Sequence, residues 1–459
     1  MTSMEKFEKK LMPLAEVVSK NKYLLTMRDS FAMIMPLLII GSIFTLIANF
    51  PIAPWMEFLK NTTIGDKTLA SLISIPAGCT VSFLALFLAF AIGYNFAPHI
   101  GITDRASAGF VSLVSWLILM PQFTEFTPEG ATEAIKVASV PLGWVGAKGV
   151  FIAIVVAFCS VKIFGFALNK NWTIKMPEGV PPTVARAFSA LIPMTLSFTI
   201  IWAVAVLFVL TPFDNAFNFV YKILQMPLQT LGGTVIAQTV VYIFAHILWF
   251  FGIHGTNVTD SVYAPILTAL SAENQAALAV GQALPNIINL QFQNLFATFG
   301  GGGSTLSLLI IAILTARSER IKKLSNLSIL PGIFGINEPV IFGLPIILNP
   351  ILFIPFLLVP TVNIISTWAV MKIGLVPLCN GVMLPWTTPP VISGFLVSGW
   401  QGAVWQIVLI VIGCLIYFPF VKALDDQYLK EDAEAKAKQE NANFTSMDLD
   451  SIDLDAIEL

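Results

Sequence analysis

The chain has 459 residues, 56% of them hydrophobic and 11% charged, with a formal net charge of −2. Soluble domains carry roughly a quarter charged residues, so this balance excludes a water-solvated globule and implies a chain surrounded by lipid. With no basic excess, nucleic acid is excluded as a partner.

In chain order, residues 1–28 read as a charged, amphipathic cytoplasmic N-terminus with no cleavable apolar stretch, so the first apolar run is a retained span. A helix needs about 20 apolar residues to cross the hydrocarbon layer. Such windows are predicted near 29–50, 71–97, 105–121, 149–168, 187–211, 234–252, 304–316, 351–371 and 403–422, with a broken one over 374–397. The fold class is therefore an all-α polytopic membrane protein with about ten transmembrane helices. Basic residues orient it: Lys6 to Arg28 before the first span, Lys170, Lys175 and Arg186 after the fourth, and Arg317, Arg320, Lys322 and Lys323 after the seventh should all face the cytoplasm. The acidic stretch Gln122 to Lys136 suits the outer face. Keeping the last basic cluster inside requires the polar stretch after the sixth window to cross once by itself, which leaves both termini cytoplasmic.

The segment 176–188 begins with helix breakers and continues into an amphipathic start of the fifth span, lying along the inner interface. It divides a first membrane half, 29–211, from a second, 212–423. From His254 to Ser304 the sequence mixes Asn257, Asp260, Gln275, Gln282, Asn286, Asn289, Gln291, Gln293 and Asn294 with apolar residues and ends in four glycines, Gly300 to Gly303. Polar chain at membrane depth survives only around a protein-lined or wet cavity, so the binding site is expected in this second half. Residues 424–459 read as an acidic cytoplasmic tail, disordered in water.

Glu338 is an ionisable group in an apolar region, and Pro339 after it rules out a continuous helix there. It should point into a cavity at a helix break, where a carboxylate accepts a hydrogen bond from a primary hydroxyl and takes its proton during phosphoryl transfer. His254 follows Trp249 and Phe251 and precedes Gly255, where an apolar wall turns polar; His246 reads as a packing residue. Trp386, between Pro385 and Thr387, sits on a kinked backbone and is placed either to cover the flat face of a sugar or to anchor at the lipid interface. No Lys follows the glycine run, so it is not a nucleotide-binding loop but a tight hairpin tip or a close backbone approach to a ligand. The four cysteines, Cys79, Cys159, Cys379 and Cys414, stand in apolar stretches with no metal or redox spacing.

With these residues in hand, the chain resembles, over nearly its whole length, the membrane-spanning IIC component of the bacterial phosphoenolpyruvate-dependent sugar phosphotransferase system. The lactose, cellobiose and diacetylchitobiose branch is the nearest. The resemblance rests on Met176-Pro-Glu-Gly-Val-Pro-Pro-Thr-Val-Ala-Arg-Ala-Phe, Trp249-Phe-Phe-Gly-Ile-His-Gly, Gly300-Gly-Gly-Gly-Ser-Thr-Leu-Ser-Leu, Gly335-Ile-Asn-Glu-Pro-Val-Ile-Phe-Gly-Leu-Pro and Pro385-Trp-Thr-Thr-Pro-Pro, in that order. It implies an inner-membrane homodimer whose first half forms the subunit contact and whose second half encloses a β-linked disaccharide between re-entrant hairpins. It also implies that Glu338 and His254 engage the hydroxyl to be phosphorylated and that Trp386 covers a ring. Gln293, Asn294, Asn337, Thr305 and Thr387, in or beside these stretches, complete the expected sugar-binding set. No metal or cofactor is expected. The phosphoryl donor in such systems is a phosphocysteine on a IIB protein; with all four cysteines in membrane-associated segments, the IIB partner should be a separate protein docking near Arg317, Arg320, Lys322 and Lys323. The alternative is a proton- or sodium-coupled symporter in which Glu338 titrates.

Overall fold

A computed structural model of the chain describes residues 20–50, 52–128, 133–177, 179–344, 346–347 and 349–450. These are helical nearly throughout. Helix α1 (Lys22–Ala48) starts at Asn21, whose side-chain oxygen accepts from the Tyr23 and Leu24 N–H groups and so satisfies donors that the first turn leaves free. Helices α2 (Leu84–Phe96), α3 (Arg105–Leu119) and α4 (Val150–Asn169) pack on one another, with α1 against α2 and α5 (Pro182–Val209) across α3 and α4. Contact there is made by small residues: a Cβ on Gly93 would lie 2.6 Å from the Ala108 carbonyl oxygen. Leu84, Leu88, Ile92, Trp116 and Ala153 fill the space between, all buried.

The second part is built from α6 (Val235–Phe250), α7 (Gly255–Ala279), α8 (Thr305–Thr315), α9 (Glu319–Ile333), α10 (Pro350–Lys372) and α11 (Ile392–Asp450), the last broken at Ser398 and Gly399. Helix α10 packs between α6 and α11, and α8 between α9 and α11. Helix α7 lies against α1, where the buried Gln275 amide donates to Thr45 Oγ1 at 2.7 Å and accepts from Ser42 Oγ at 3.3 Å. A buried amide costs little when both its ends are used.

The outward faces stay apolar. Ile40, Leu207, Ile236 and Leu314 are all exposed, as hydrocarbon rather than water would require. Among the described residues seven helices are long and apolar enough to cross a membrane, and the pair Ala216–Gly232 and Val235–Phe250, bent by 75°, makes an eighth. The chain is a multi-span membrane protein.

That number is below the ten windows read from the sequence for identifiable reasons. Helix α3 has only 15 residues and no regular helix forms between Gly374 and Pro390, whereas the window at 304–316 is the end of a longer span, Leu290–Thr315. Conversely α7, with 25 residues, spans about 37 Å at 1.5 Å per residue, yet Asp260, Glu273, Asn274 and Gln275 hide it from a hydropathy reading.

At 176–188 the breakers end at Pro181, and Pro182 opens α5, which runs on to Val209; Glu178 lies outside the described residues. The acidic stretch expected outside forms a hairpin, Phe123–Phe126 antiparallel to Ile135–Ala138 with Glu125 opposite Lys136; residues 129–132 lie outside the described residues.

The tail departs from expectation. Helix α11 continues past residue 423 to Asp450, and Leu424, Asp425 and Tyr428 are buried. Asp425 accepts from the Arg317 and Ser318 backbone N–H groups at 2.9 and 2.8 Å, Arg317 pairs with Asp426 at 2.8 Å, and Arg320 with Glu431 at 3.4 Å. The acidic residues at 424–431 therefore have packed partners, more than 100 positions upstream, and the disordered segment expected from 424 does not begin there. Residues 451–459 lie outside the described residues.

Candidate functional site

The site is assembled where helices stop. Helix α6 ends at Phe250, the chain turns at Gly252 with φ +80°, and His254 caps α7 by accepting the Asn257 N–H on Nδ1 at 3.3 Å, with Thr256 Oγ1 at 3.2 Å from the same nitrogen. Both neighbours have a hydrogen to give, so Nδ1 is the acceptor and a neutral imidazole carries its proton on Nε2. The Trp249 ring lies against the imidazole, 4.2 Å between centroids.

Across from it α9 ends, and Gly335 (φ +84°) and Asn337 lead into the short helix Glu338–Gly343. Gly335 must be glycine: a Cβ there would press on the Trp386 ring at 3.0 Å. Asn337 is buried and reaches over to donate to the Gly302 carbonyl at 3.0 Å. Glu338, next to it, is exposed and lines the same cavity as His254.

The third wall is the glycine run. Gly300, Gly301 and Gly303 have φ of +74°, +86° and +75°, conformations that a side chain rarely tolerates. The loop is held from several sides. His246 takes the Gly303 N–H on Nε2 at 2.8 Å while its Nδ1 meets the Tyr242 carbonyl at 2.7 Å, which fixes the proton on Nδ1. Tyr417 donates to the Gly303 carbonyl at 2.6 Å, Asn363 to Ser304 Oγ at 3.1 Å, and Thr305 to the Gly300 carbonyl.

The fourth wall is the irregular segment before α11 together with that helix's first turn. Gln406, fully buried, accepts from the Gly394 N–H at 3.0 Å and from Ser393 Oγ at 3.3 Å, and donates to the Leu295 carbonyl at 2.7 Å. Gln291 accepts the Leu384 N–H at 3.2 Å. These bonds join the two broken segments.

The walls enclose a cavity of about 410 Å³, within the range that holds a small ligand. Of the residues expected at a sugar site, Glu338, His254, Asn294, Gln293, Asn337 and Trp386 line it. Thr305 does not: its hydroxyl is buried and committed to Gly300. The cavity is lined by Thr388 rather than Thr387. Trp386, 58% exposed, leans on Gly335 within the cavity wall. His246, read as a packing residue, is buried as expected but also anchors the glycine loop. Asn257 and Asp260 line the cavity as well; their spacing of three and six residues from His254 is the signal that places all three on one helix face. The four cysteines are absent from the lining. Among the described residues no lysine or arginine lines it and no cluster of metal ligands occurs.

The comparisons agree with this architecture. The family model described as "Phosphotransferase system, EIIC" matches residues 28–360. The chain is 40% identical to the "PTS system cellobiose-specific EIIC component" of Geobacillus stearothermophilus, over 93% of this chain and 95% of that one. It is 31% identical to the longer "PTS system lactose-specific EIICB component" of Staphylococcus haemolyticus (strain JCSC1435), covering 96% of this chain and 75% of the relative. Its fold is similar to the crystal structure of the transporter ChbC, the IIC component from the N,N'-diacetylchitobiose-specific phosphotransferase system, with a TM-score of 0.88, 38% identity, and 93% and 99% of the two chains covered. The chain is a membrane-spanning EIIC component of the phosphotransferase system, in its lactose, cellobiose and diacetylchitobiose branch.

Proposed function

We propose that this EIIC sugar permease imports a β-linked disaccharide of the cellobiose or diacetylchitobiose type and presents its 6-hydroxyl for phosphorylation by a separate IIB protein. The observation that carries this reading is the meeting of Glu338 and His254 in one cavity at the break between α9 and the following short helix. Glu338 accepts the hydroxyl hydrogen, and His254, with its proton on Nε2, donates to the hydroxyl oxygen or holds the sugar in register. In the transfer step the sugar oxygen forms the new bond to phosphorus, the sulfur–phosphorus bond of a IIB phosphocysteine breaks, the thiolate leaves, and the hydroxyl proton passes to Glu338. The donor must reach the cavity from outside, since no cysteine lines it, and relatives named EIICB are consistent with a IIB partner. Trp386 covers one ring face; Gln293, Asn294 and Asn337 bond hydroxyls. Of the four basic residues expected to meet the partner, Arg317 and Arg320 already pair with Asp426 and Glu431 and Lys323 lies 4.0 Å from Glu319, which leaves Lys322 to meet the partner.

Both termini face the cytoplasm in this reading, residues 29–211 supply the homodimer contact, and residues 212–423 carry the sugar.

Vesicles containing the chain test the assignment. Labelled disaccharide should appear inside only as its 6-phosphate, and only when the cytosolic phosphotransfer proteins are supplied. Accumulation of unmodified sugar on a proton or sodium gradient, without those proteins, would establish the symporter instead.

A further inference from the structure

Helix α7 presents His254, Asn257 and Asp260 to the cavity from one face. Six residues at 1.5 Å each put Asp260 about 9 Å along the helix from His254, one ring and its glycosidic link away from the phosphorylated end. Its carboxylate is held at one oxygen: Gln293 Nε2 donates to Oδ1 at 2.9 Å, and Gln293 Oε1 in turn accepts from Gln238 Nε2 at 3.2 Å. Gln238 and Gln293 are both buried, so the arm that aims Asp260 is fixed by packing. Among the described residues no hydrogen bond or ion pair reaches Oδ2, and no cation lines the cavity to neutralise it.

A half-buried carboxylate that lines a cavity without a counter-ion is satisfied only by O–H or N–H donors. The cavity offers none at Oδ2 from the protein. We propose that Asp260 is a specificity-determining residue: its free oxygen accepts a hydrogen bond from a hydroxyl of the sugar ring that is not phosphorylated, so that the site selects disaccharides whose second ring offers that donor. This rests on the reading of the cavity as a disaccharide site. It adds to that reading a second carboxylate, about 9 Å along α7 from His254, and gives Gln238 the role of a positioning residue.

Hydrogen bonds to a charged group correspond to roughly 10- to 100-fold in affinity. Titration calorimetry on the purified full chain, with cellobiose and with its analogues deoxygenated singly around the reducing ring, tests the proposal. Asp260→Asn should weaken cellobiose binding by about that factor. One deoxy analogue should bind wild type more weakly by a similar factor and bind the variant no more weakly than cellobiose does. Equal cellobiose affinity in the folded variant and wild type overturns the proposal and leaves the permease reading standing. If the variant does not fold, the wild-type series decides alone, and equal affinity for every analogue overturns the proposal. Absence of wild-type binding to cellobiose overturns it too, while phosphorylation of any other β-disaccharide in the vesicle assay would keep the permease reading intact.

Discussion

The bundle of α2, α3 and α4 and the loop-built site of α6 to α11 bury comparable chains by different means. In the bundle, backbones approach through Gly93 and Gly109, and apolar side chains fill the rest. Around the site, His246, Asn363, Tyr417 and Gln406 spend buried polar groups on the backbone of loops that have no helix to satisfy them. In lipid every backbone group needs an internal partner. The bundle meets that demand within each helix, and the site meets it with side chains from distant elements, which leaves backbone and carboxylates free to face a ligand.

This contrast can be broken by substitution. The larger effect is expected at His246→Ala, which strands the Gly303 N–H and opens a cavity beside Phe356. At about 1–3 kcal/mol for the stranded group and about 2–5 kcal/mol for truncating a buried side chain, the variant should lose several degrees of melting temperature and most of its sugar affinity. A variant that keeps wild-type affinity would show that the glycine loop holds its shape without this anchor. A smaller effect, about 1–3 kcal/mol from overpacking, is expected at Gly93→Ala, where the new methyl meets the Ala108 carbonyl. Thermal unfolding should shift while disaccharide affinity of the folded protein stays within twofold of wild type. A tenfold loss of affinity there would show that the bundle sets the geometry of the site and would dissolve the distinction.

Much of the site could be read from residue order. Glu338 before proline, Trp386 after proline and His254 before glycine each mark a helix break, and breaks at membrane depth are where ligands bind. What escaped depends on partners far apart in the chain. Gln275 meets Thr45 across 230 positions, and Asp425 meets Arg317 across 108, so hydropathy gives no window over α7, whose crossing follows only from the placement of the basic residues, and the acidic residues after 423 read as solvated. Thr305 and Thr387 sit within the motifs. Motif membership fixes a position along the chain but not the direction of a side chain: Thr305 turns inward to hold Gly300, and Thr388 takes the place at the cavity wall. The span number suffered similarly, because a hydropathy window cannot distinguish a crossing from a broken segment that ends partway.

The central claim is that Glu338 receives the proton of a sugar hydroxyl during phosphoryl transfer. Its most direct test is the rate of sugar phosphorylation by Glu338→Gln in vesicles with a saturating phosphorylated IIB donor, beside calorimetric binding of the same disaccharide. Loss of a positioned base predicts a rate lower by about 10²- to 10⁴-fold with binding reduced far less and unfolding unchanged. A folded variant that phosphorylates its sugar at the wild-type rate would contradict the claim.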